Sequence, residues 1–98
     1  MRLAKLRAQI RDKKWYVYIL ECRDGSYYCG ITNNLEKRIS SHNNGTGAKY
    51  TRGRRPVRLL EAVKFSSRGE ALQVEAAVKK QQRAKKIDFL KSKGFIDK

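Results

Sequence analysis

The sequence predicts an α+β domain with a small, mostly antiparallel three-stranded sheet flanked by helices and a basic helical extension at the N-terminus. Two short segments rich in β-branched and aromatic residues surround Asp24-Gly25, as the strands of a hairpin do. A third alternating segment, 57–65, follows a glycine-containing loop. Apolar residues elsewhere recur at spacings of three and four, which is typical of helices packed on a sheet.

The first two strands are predicted at 15–22 and 27–32. They are joined by a turn at Asp24-Gly25, where glycine accepts the positive φ that a tight turn requires. Side chains of the first strand alternate between two faces, with Tyr16, Tyr18, Leu20 and Cys22 on one and Val17, Ile19 and Glu21 on the other.

A helix that begins near Leu35 carries two polar residues on its apolar face. Thr32 or Asn33 is expected to cap it, because each has a side-chain oxygen that can accept from the first turn. One face is shared by the residues at i, i+3, i+4 and i+7, which are Leu35, Arg38, Ile39 and His42. Polar groups on an inward-facing stripe need a partner or a function, so Arg38 and His42 are candidate site residues.

Residues 43–56 are predicted to form a loop, since they contain three of the seven glycines and the only proline. The cationic and aromatic side chains of this loop are Lys49, Tyr50, Arg52, Arg54 and Arg55. They could be a solvated surface that only keeps the protein soluble. We expect a nucleic-acid contact in which cations bind phosphates and the tyrosine stacks, because the loop directly follows the helix that carries Arg38 and His42.

The third strand is predicted at 57–65, with Val57, Leu59, Glu61, Val63 and Phe65 on one face and Arg58, Leu60, Ala62 and Lys64 on the other. Ser67 and Glu70 form a capping box at the start of a helix expected over 68–83. A last helix is expected over 86–93 and is ended by Gly94. A second basic cluster, either a solvated face or part of a nucleic-acid surface, comprises Lys79, Lys80, Arg83, Lys85 and Lys86.

Glu75 stands in the apolar arc of the helix expected over 68–83. At 100° per residue, this arc contains Ala71, Leu72, Val74, Glu75 and Val78. A carboxylate there carries a large desolvation cost unless it is paired or bound. An ion pair with Arg38 and a metal ion are the two explanations, and we expect the metal ion.

The net charge is +15, from 24 Lys and Arg residues against 9 acidic ones. This charge predicts a polyanionic partner, because contacts between basic side chains and phosphates release counterions and so favour binding. Charge does not distinguish DNA from RNA. Residues 1–14 place Leu3, Leu6 and Ile10 at helical spacing among basic residues. This extension could dock on the domain formed by residues 15–98, bind nucleic acid or remain a tail.

No apolar run of 18 residues occurs, and the first 14 residues lack the apolar stretch of a signal peptide. A soluble, cytoplasmic protein without a membrane partner is therefore expected. Cys22 and Cys29 are too few for a disulfide framework and lack the spacing of a zinc site, so buried, reduced thiols are expected.

Two half-motifs, Val17-Tyr18-Ile19 and Tyr28-Cys29-Gly30, are followed by Arg38 ten residues after the second tyrosine and then by His42. In this order they resemble the core of the GIY-YIG nuclease superfamily, and residues 15–89 are similar to its small single-domain members. The resemblance places the essential glutamate of the family at Glu75. Valine replaces the first glycine of the family motif, cysteine replaces the second isoleucine, and the asparagine that several members carry near the C-terminus has no counterpart.

If Tyr18 and Tyr28 serve one site, their side chains must lie on the same face of the sheet. A two-residue turn at Asp24-Gly25 would pair Tyr28 with Glu21 and leave Tyr18 on the other face. A three-residue loop with a bulge next to Gly25 places both tyrosines on one face, and we predict that loop.

The resemblance implies a phosphodiester-cleaving site formed by Tyr18, Tyr28, Arg38, His42 and Glu75. One carboxylate suffices for a single Mg²⁺ or Mn²⁺ ion, expected at Glu75, and Arg38 would bind phosphate oxygens. Members of the family are thought to use a tyrosine as the base, which suggests Tyr28, with Tyr18 positioning the water or the phosphate. His42 is the alternative base, because the ordinary pKa of histidine lies near neutrality.

These features predict a divalent-metal-dependent endonuclease that acts on DNA rather than RNA. Structure-selective or non-specific cleavage is expected, because the sequence offers no second domain to read a long site. One alternative is a catalytically weak or inactive DNA- or RNA-binding module on the same fold. The other is a subunit that joins a protein partner on a larger nucleoprotein. The sequence does not indicate an oligomeric state.

Overall fold

The structure, a computed structural model, describes residues 14–96, with side chains to residue 94. Its elements in chain order are β1 (Trp15–Glu21), β2 (Tyr27–Thr32), α1 (Leu35–Asn43), α2 (Lys49–Arg52), β3 (Arg58–Phe65), α3 (Arg68–Lys79) and α4 (Arg83–Ile96). The strands form one antiparallel sheet in the order β2-β1-β3, so the predicted α+β fold is confirmed. The helix predicted within residues 1–14 lies outside the described residues, apart from Lys14.

Strand β1 is the central strand and is buried on both faces. The side chains from Val17 to Leu20 are fully buried, although alternate ones point in opposite directions. Both faces are buried because helices cover both. On one face α3 and α4 build the larger core cluster, which includes Val17, Ile19, Phe65, Val78 and Leu90. On the other face α1 builds a smaller cluster, which includes Tyr18, Leu20, Cys22, Val57, Leu35 and Ile39.

Strand β3 contains a bulge that the sequence prediction missed. Its register with β1 shifts between Ile19 and Leu20, which leaves Leu60 as the extra residue. The alternation of side chains reverses across the bulge, so Val57 packs in the smaller cluster and Val63 in the larger one. The prediction that these two valines share a face is therefore wrong.

The residue that caps α1 is Asn34, rather than Thr32 or Asn33 as predicted. The Asn34 side chain accepts a hydrogen bond of 3.1 Å from the backbone N–H of Lys37. Thr32 binds the capping residue itself, since its hydroxyl oxygen accepts from the backbone N–H of Asn34 at 3.1 Å. The helix thus begins one residue later than a cap at Asn33 would allow.

The predicted capping box of α3 is present in part. Ser67 accepts from the backbone N–H of Glu70 at 3.1 Å, as expected. The Glu70 carboxylate, however, accepts from the backbone N–H and the hydroxyl of Ser66, at 3.2 and 2.9 Å. The reciprocal bond therefore reaches one residue further back than predicted.

Helix α3 ends at Lys79, four residues earlier than predicted, and α4 begins at Arg83. The Lys86 ammonium donates to the carbonyl oxygens of Val78 and Lys79, both at 3.1 Å, and so satisfies the end of α3. The prediction that Gly94 ends the last helix is wrong, because α4 continues to Ile96. A Cβ atom on Gly94 would lie 2.9 Å from a methyl group of Val63, so this glycine lets α4 approach β3.

The predicted loop over 43–56 contains one helical turn, α2, that was not predicted. Four residues are too few to show a helical period, and the surrounding glycines and the proline favour a loop. Among residues 14–96, no helix has the length and apolar character needed to cross a membrane.

Candidate active site

Strands β1 and β2 place Tyr18 and Tyr28 on the same face of the sheet. Tyr18 pairs with Gly30, and Leu20 pairs with Tyr28, so both phenols point toward the side covered by α1. The centroids of the two rings are 6.3 Å apart.

The hairpin loop has the three residues 23–25, as predicted. The backbone N–H of Cys22 donates to the Ser26 carbonyl at 2.8 Å, and Gly25 donates to the Cys22 carbonyl at 2.9 Å. Gly25 adopts a φ of +85°, which glycine reaches without a Cβ clash. Asp24 stabilises the loop by accepting from the hydroxyl and the backbone N–H of Ser26, at 2.6 and 3.0 Å, and these bonds lower the pKa of Asp24.

Gly30 provides the space in which the Tyr18 phenol lies. A Cβ atom on Gly30 would lie 2.6 Å from the Tyr18 oxygen and 3.0 Å from a ring carbon of Tyr28. The absence of a side chain lets the Tyr18 ring extend from β1 over β2, toward the free edge of the sheet. Gly30, in the second half-motif, therefore leaves the space that Tyr18, in the first half-motif, occupies.

Helix α1 supplies a cation to this face. The Arg38 guanidinium interacts with the phenol oxygens of Tyr18 and Tyr28, and hydrogen bonding to Tyr18 is the main cause that raises the pKa of Arg38. Leu35 and Ile39 pack with Tyr18 in the smaller cluster, so the predicted shared face of α1 is confirmed. Arg38 thus lies near both phenol oxygens.

His42, from the same face of α1, is fully buried between Tyr18 and Thr51. Its Nε2 lies 2.9 Å from the Tyr18 hydroxyl oxygen, and its Nδ1 lies 2.7 Å from the Thr51 hydroxyl oxygen. Burial and the nearby Arg38 charge lower the pKa of His42 to about 4, so the imidazole is neutral at physiological pH. Burial also raises the pKa of Tyr18 to about 12, although hydrogen bonding to Arg38 acts in the opposite direction.

Two residues that contact His42 were not predicted from the sequence. Thr51 lies on the unpredicted helix α2, and its hydroxyl binds a ring nitrogen. Gly47 passes so close that a Cβ atom there would lie 2.5 Å from Nδ1. A buried histidine does imply a polar partner, yet the fold of the loop that supplies this partner cannot be derived from periodicity.

Tyr50 stacks on Tyr28, with ring centroids 6.0 Å apart and planes inclined by 30°. The Arg54 guanidinium lies 4.0 Å from the centroid of the Tyr50 ring, donates to the Tyr50 carbonyl at 2.7 Å and pairs with Asp24 at 3.0 Å. The Arg54 backbone carbonyl also accepts from the N–H of Arg23. These contacts join the loop predicted to bind nucleic acid to the hairpin loop and to the tyrosines.

The remaining cations of the 43–56 segment differ in their contacts. Arg55 donates to the carbonyl oxygens of Arg52 and Asn43, at 3.1 and 3.4 Å. Lys49 and Arg52 are exposed, and their side chains make no hydrogen bond or ion pair within the described part of the chain. Lys49 and Arg52, which flank Tyr50 and Thr51 on α2, are thus the cations of this segment that are most available to a ligand.

Glu75 lies on the other face of the sheet from the phenols. Its neighbours Ala71, Val74 and Val78 on α3 pack in the larger cluster, whereas Leu72 is 38% exposed. Glu75 therefore lies at the margin of the buried stripe rather than within it, and its side chain is 17% exposed.

The ion-pair partner of Glu75 is Lys79, at 3.3 Å, and not Arg38, which lies with the phenols. Glu75 is also close enough to Cys29 to contribute to the elevated pKa of this thiol, which is raised to about 12 mainly by burial. Cys29 lies between Tyr28 and Gly30 on the edge strand β2. The carboxylate thus approaches β2 from the face opposite the phenols.

Glu75 is the carboxylate to which the resemblance assigns a metal ion. No group of three or more His, Cys, Asp or Glu side chains within the described residues could enclose an ion. A single, partly exposed carboxylate beside a surface ammonium fits a hydrated Mg²⁺ ion, which keeps several waters and takes other ligands from a phosphate. It does not fit a site built entirely from protein ligands.

Three residues of the second basic cluster, which spans residues 79–86, make contacts within the protein. Arg83 donates to the Gly25 carbonyl at 2.7 and 3.1 Å and lies 4.2 Å from the centroid of the Tyr27 ring. Lys86 donates to the last carbonyl oxygens of α3, and Lys79 pairs with Glu75. Lys80 and Lys85 remain exposed.

Comparison with known proteins extends the resemblance to most of the chain. Residues 14–88 match the GIY-YIG catalytic domain. The chain is 52% identical over 79 residues to a UPF0213 protein of Streptococcus pneumoniae serotype 4, which covers 81% of this chain and 80% of that protein. It is 55% identical over 80 residues to the UPF0213 protein CPE1444 of Clostridium perfringens, which covers 82% and 86%.

Among solved structures, the chain is similar to the solution structure of the E. faecalis protein EF2693, with a TM-score of 0.59 and 46% identity over 85% of this chain and 88% of that one. It is also similar to the UPF0213 protein BH0048 of Bacillus halodurans, with a TM-score of 0.50 and 49% identity over 83% and 86%. Together, the family match, these relatives and the arrangement of the two half-motifs show that the chain belongs to the GIY-YIG catalytic domain family, among its small UPF0213 members.

Proposed function

We propose that this protein is a divalent-metal-dependent endonuclease that hydrolyses phosphodiester bonds in DNA. GIY-YIG domains are nuclease-type domains, which gives the general class of activity. The observation that supports the proposal best is that Tyr18 and Tyr28 share one face of the sheet and that Arg38 lies near both phenol oxygens. A phosphate bound there would have a positive charge beside it as negative charge develops.

Tyr28 is the tyrosine that we assign as the general base. A base must reach the attacking water, and Tyr28 is only partly buried, whereas Tyr18 is fully buried with its hydroxyl bonded to His42. Arg38 lies near the phenol oxygens of both tyrosines. Tyr18 then positions Arg38 and does not itself contact the water.

His42 is less suited to act as the base. It is fully buried, and both of its ring nitrogens are bonded to protein atoms. Its pKa of about 4 also makes it a weak proton acceptor at neutral pH. We therefore assign His42 as a positioning residue for Tyr18.

Glu75 is the residue that we assign to a single Mg²⁺ or Mn²⁺ ion, which when bound would polarise the phosphate and stabilise the leaving oxygen. Glu75 approaches the edge strand β2 from one face, and the phenols lie on the other. A phosphodiester that follows the free edge of β2 could contact both. Arg38 would bind its non-bridging oxygens, and Lys49 and Arg52 would bind neighbouring phosphates.

We further propose that cleavage is structure-selective or non-specific. Lys49 and Arg52, the exposed cations of α2, are residue types that commonly bind the phosphate backbone, and such contacts carry no sequence information. DNA is the favoured substrate, and RNA is the alternative.

A nucleic-acid-binding module without catalysis is the second candidate. The Glu75–Lys79 ion pair supports it, since a carboxylate with an ammonium partner needs no metal ion. The strongly basic composition would serve a binding module equally well.

A nicking assay with Mg²⁺ or Mn²⁺ on duplex, flap and single-stranded DNA distinguishes the two candidates. We would compare the wild type with Glu75→Ala and with Glu36→Ala, an exposed residue of α1 that gives the same change of charge. The endonuclease predicts cleavage by the wild type and by Glu36→Ala, loss of cleavage in Glu75→Ala, and similar DNA binding by all three. The binding module predicts salt-sensitive binding and no cleavage. Cleavage that survives Glu75→Ala would refute the assignment of Glu75.

A further inference from the structure

The three buried side chains Tyr18, His42 and Thr51 form one hydrogen-bonded chain. Tyr18 is bonded to Nε2 of His42 at 2.9 Å, and Thr51 is bonded to Nδ1 at 2.7 Å. All three residues are fully buried, so their polar hydrogens must find acceptors within the protein. The number of hydrogens on each group then determines which atom donates in each bond.

The hydrogen of the Tyr18 hydroxyl is the first to assign. Arg38 approaches the same oxygen, but a guanidinium has no acceptor, so Arg38 can only donate to it. Within the described residues, the acceptor in contact with the Tyr18 hydroxyl is Nε2 of His42. Tyr18 therefore donates to Nε2, which carries no hydrogen. Since the imidazole is neutral, its single hydrogen is on Nδ1.

Thr51 accepts the hydrogen that His42 carries on Nδ1. Thr51 can do so because its own hydroxyl hydrogen has another acceptor, the Ala48 carbonyl, at 3.0 Å. The backbone N–H of Ala48 also points toward Nδ1, at 3.4 Å, but this contact is much longer than the 2.7 Å contact with Thr51, so the hydrogen on Nδ1 is directed at Thr51. The chain thus runs from Tyr18 through His42 and Thr51 to the Ala48 carbonyl, and the hydrogens of the three side chains each have an acceptor.

We propose that Thr51 is a positioning residue that holds His42 in the Nδ1–H form. In this form Nε2 takes the Tyr18 hydrogen, and a lone pair of the Tyr18 oxygen faces Arg38. Arg38 is thereby held between the two phenols. Without the Thr51 hydroxyl, a hydrogen on Nδ1 would lose its acceptor and would move to Nε2. The Tyr18 hydrogen would then turn toward the Arg38 cation and weaken this contact.

The form of His42 can be measured directly, because it is the only histidine in the chain. Protein labelled with ¹⁵N-histidine and purified without a histidine tag would give one pair of ring nitrogen signals in a long-range ¹H–¹⁵N spectrum near pH 7. We expect a protonated Nδ1 and an unprotonated Nε2. A protonated Nε2 in the wild type would overturn the proposal, whatever the behaviour of any variant.

Two variants test the role of the Thr51 hydroxyl. Thr51→Val keeps the shape and removes the hydroxyl, and we expect a switch to Nε2–H together with a nicking rate about tenfold lower, as the loss of one buried hydrogen bond implies. Thr51→Ser restores the hydroxyl, so we expect Nδ1–H and a rate within about twofold of the wild type. DNA affinity should be unchanged in both. Wild-type behaviour of Thr51→Val in both measurements would contradict the proposal.

The effect on the nicking rate rests on the proposed endonuclease function, whereas the form of His42 does not. Suppose that the wild type shows Nδ1–H, that Thr51→Val shows Nε2–H and that neither cleaves DNA. The positioning role of Thr51 would then be supported, and the endonuclease function would be refuted. If Thr51→Val does not fold, the wild-type spectrum and the Thr51→Ser variant still test the assignment.

Discussion

The phenol oxygen of Tyr18 lies only 2.6 Å from the position that a Cβ atom on Gly30 would occupy. The same Cβ atom would lie 3.0 Å from the Tyr28 ring. A Gly30→Ala substitution must therefore displace both tyrosines, and Tyr18 cannot move freely, because it is fully buried and bonded to His42. We expect it to lower the free energy of unfolding by about 1–3 kcal/mol, as overpacking does, and to abolish nicking.

Gly69→Ala is the matched control for this prediction. Gly69 lies in the first turn of α3, and nothing lies within 4 Å of a Cβ atom built there. Alanine favours a helix over glycine by about 0.5–1 kcal/mol, so this variant should be as stable as the wild type or slightly more so. Denaturant unfolding and nicking rates measure both variants. Equal stability and equal activity of Gly30→Ala would contradict the close packing of the two half-motifs.

The buried, neutral His42 makes stability depend on pH. Its pKa is about 4 in the folded protein and about 6.5 when unfolded, so the unfolded state binds a proton first as the pH falls. The stabilisation is complete above pH 6.5 and is lost between pH 6.5 and pH 4. Between pH 7 and pH 5 we expect the free energy of unfolding to fall by about 2 kcal/mol.

Denaturant unfolding at pH 7, 6 and 5 tests this dependence, and His42→Gln is the control. Carboxyl groups with ordinary pKa values gain few protons between pH 7 and pH 5, and the chain has no other histidine. The decrease should therefore be absent in His42→Gln, although this variant will be less stable at pH 7. A wild-type protein with the same stability at pH 7 and pH 5 would show that His42 is not held neutral.

Local patterns in the sequence were sufficient to predict the sheet, its hairpin and the placement of Arg38 and His42 on one face of a helix, whereas the family resemblance identified Tyr18 and Tyr28 as site residues. Tyr18, Tyr28, Arg38 and His42 belong to regular elements, where alternation and helical spacing determine the side of each residue. The requirement that both tyrosines share a face also predicted a three-residue hairpin loop, which residues 23–25 form.

The features that sequence reasoning missed depend on packing between distant segments. The bulge at Leu60, the contact of Thr51 with His42 and the approach of α4 to β3 at Gly94 have no local periodic signal. Glu75 shows the limit most clearly, because its helix and its apolar arc were predicted, whereas its position at the margin of the arc and its pairing with Lys79 were not. Which part of an arc is buried depends on the surface that the helix meets.

Arg38→Lys tests whether the shape of the cation matters as well as its charge. A lysine ammonium keeps the charge but lacks the planar fork with which a guanidinium contacts two oxygens. We expect the nicking rate to fall about a hundredfold, the range found when one donor to a developing anion is lost. Arg68→Lys, at the exposed start of α3, is the control and should cleave normally. Full activity of Arg38→Lys would show that the contact with both phenols is dispensable.

Lys49 and Arg52 flank Tyr50 and Thr51 on α2, and their exposed side chains have no polar partner within the described residues. If each binds one phosphate, removing it should weaken binding to all DNA sequences alike and lower the slope of log affinity against log salt by about 0.9. The double variant should lower the slope by about 1.8, with little effect on stability. Titrations of labelled duplex at several salt concentrations measure this slope. Lys91→Ala, an exposed cation on α4 across the sheet, should change it less. An equal effect of Lys91→Ala would indicate a diffuse response to net charge and would remove α2 from the proposed nucleic-acid surface.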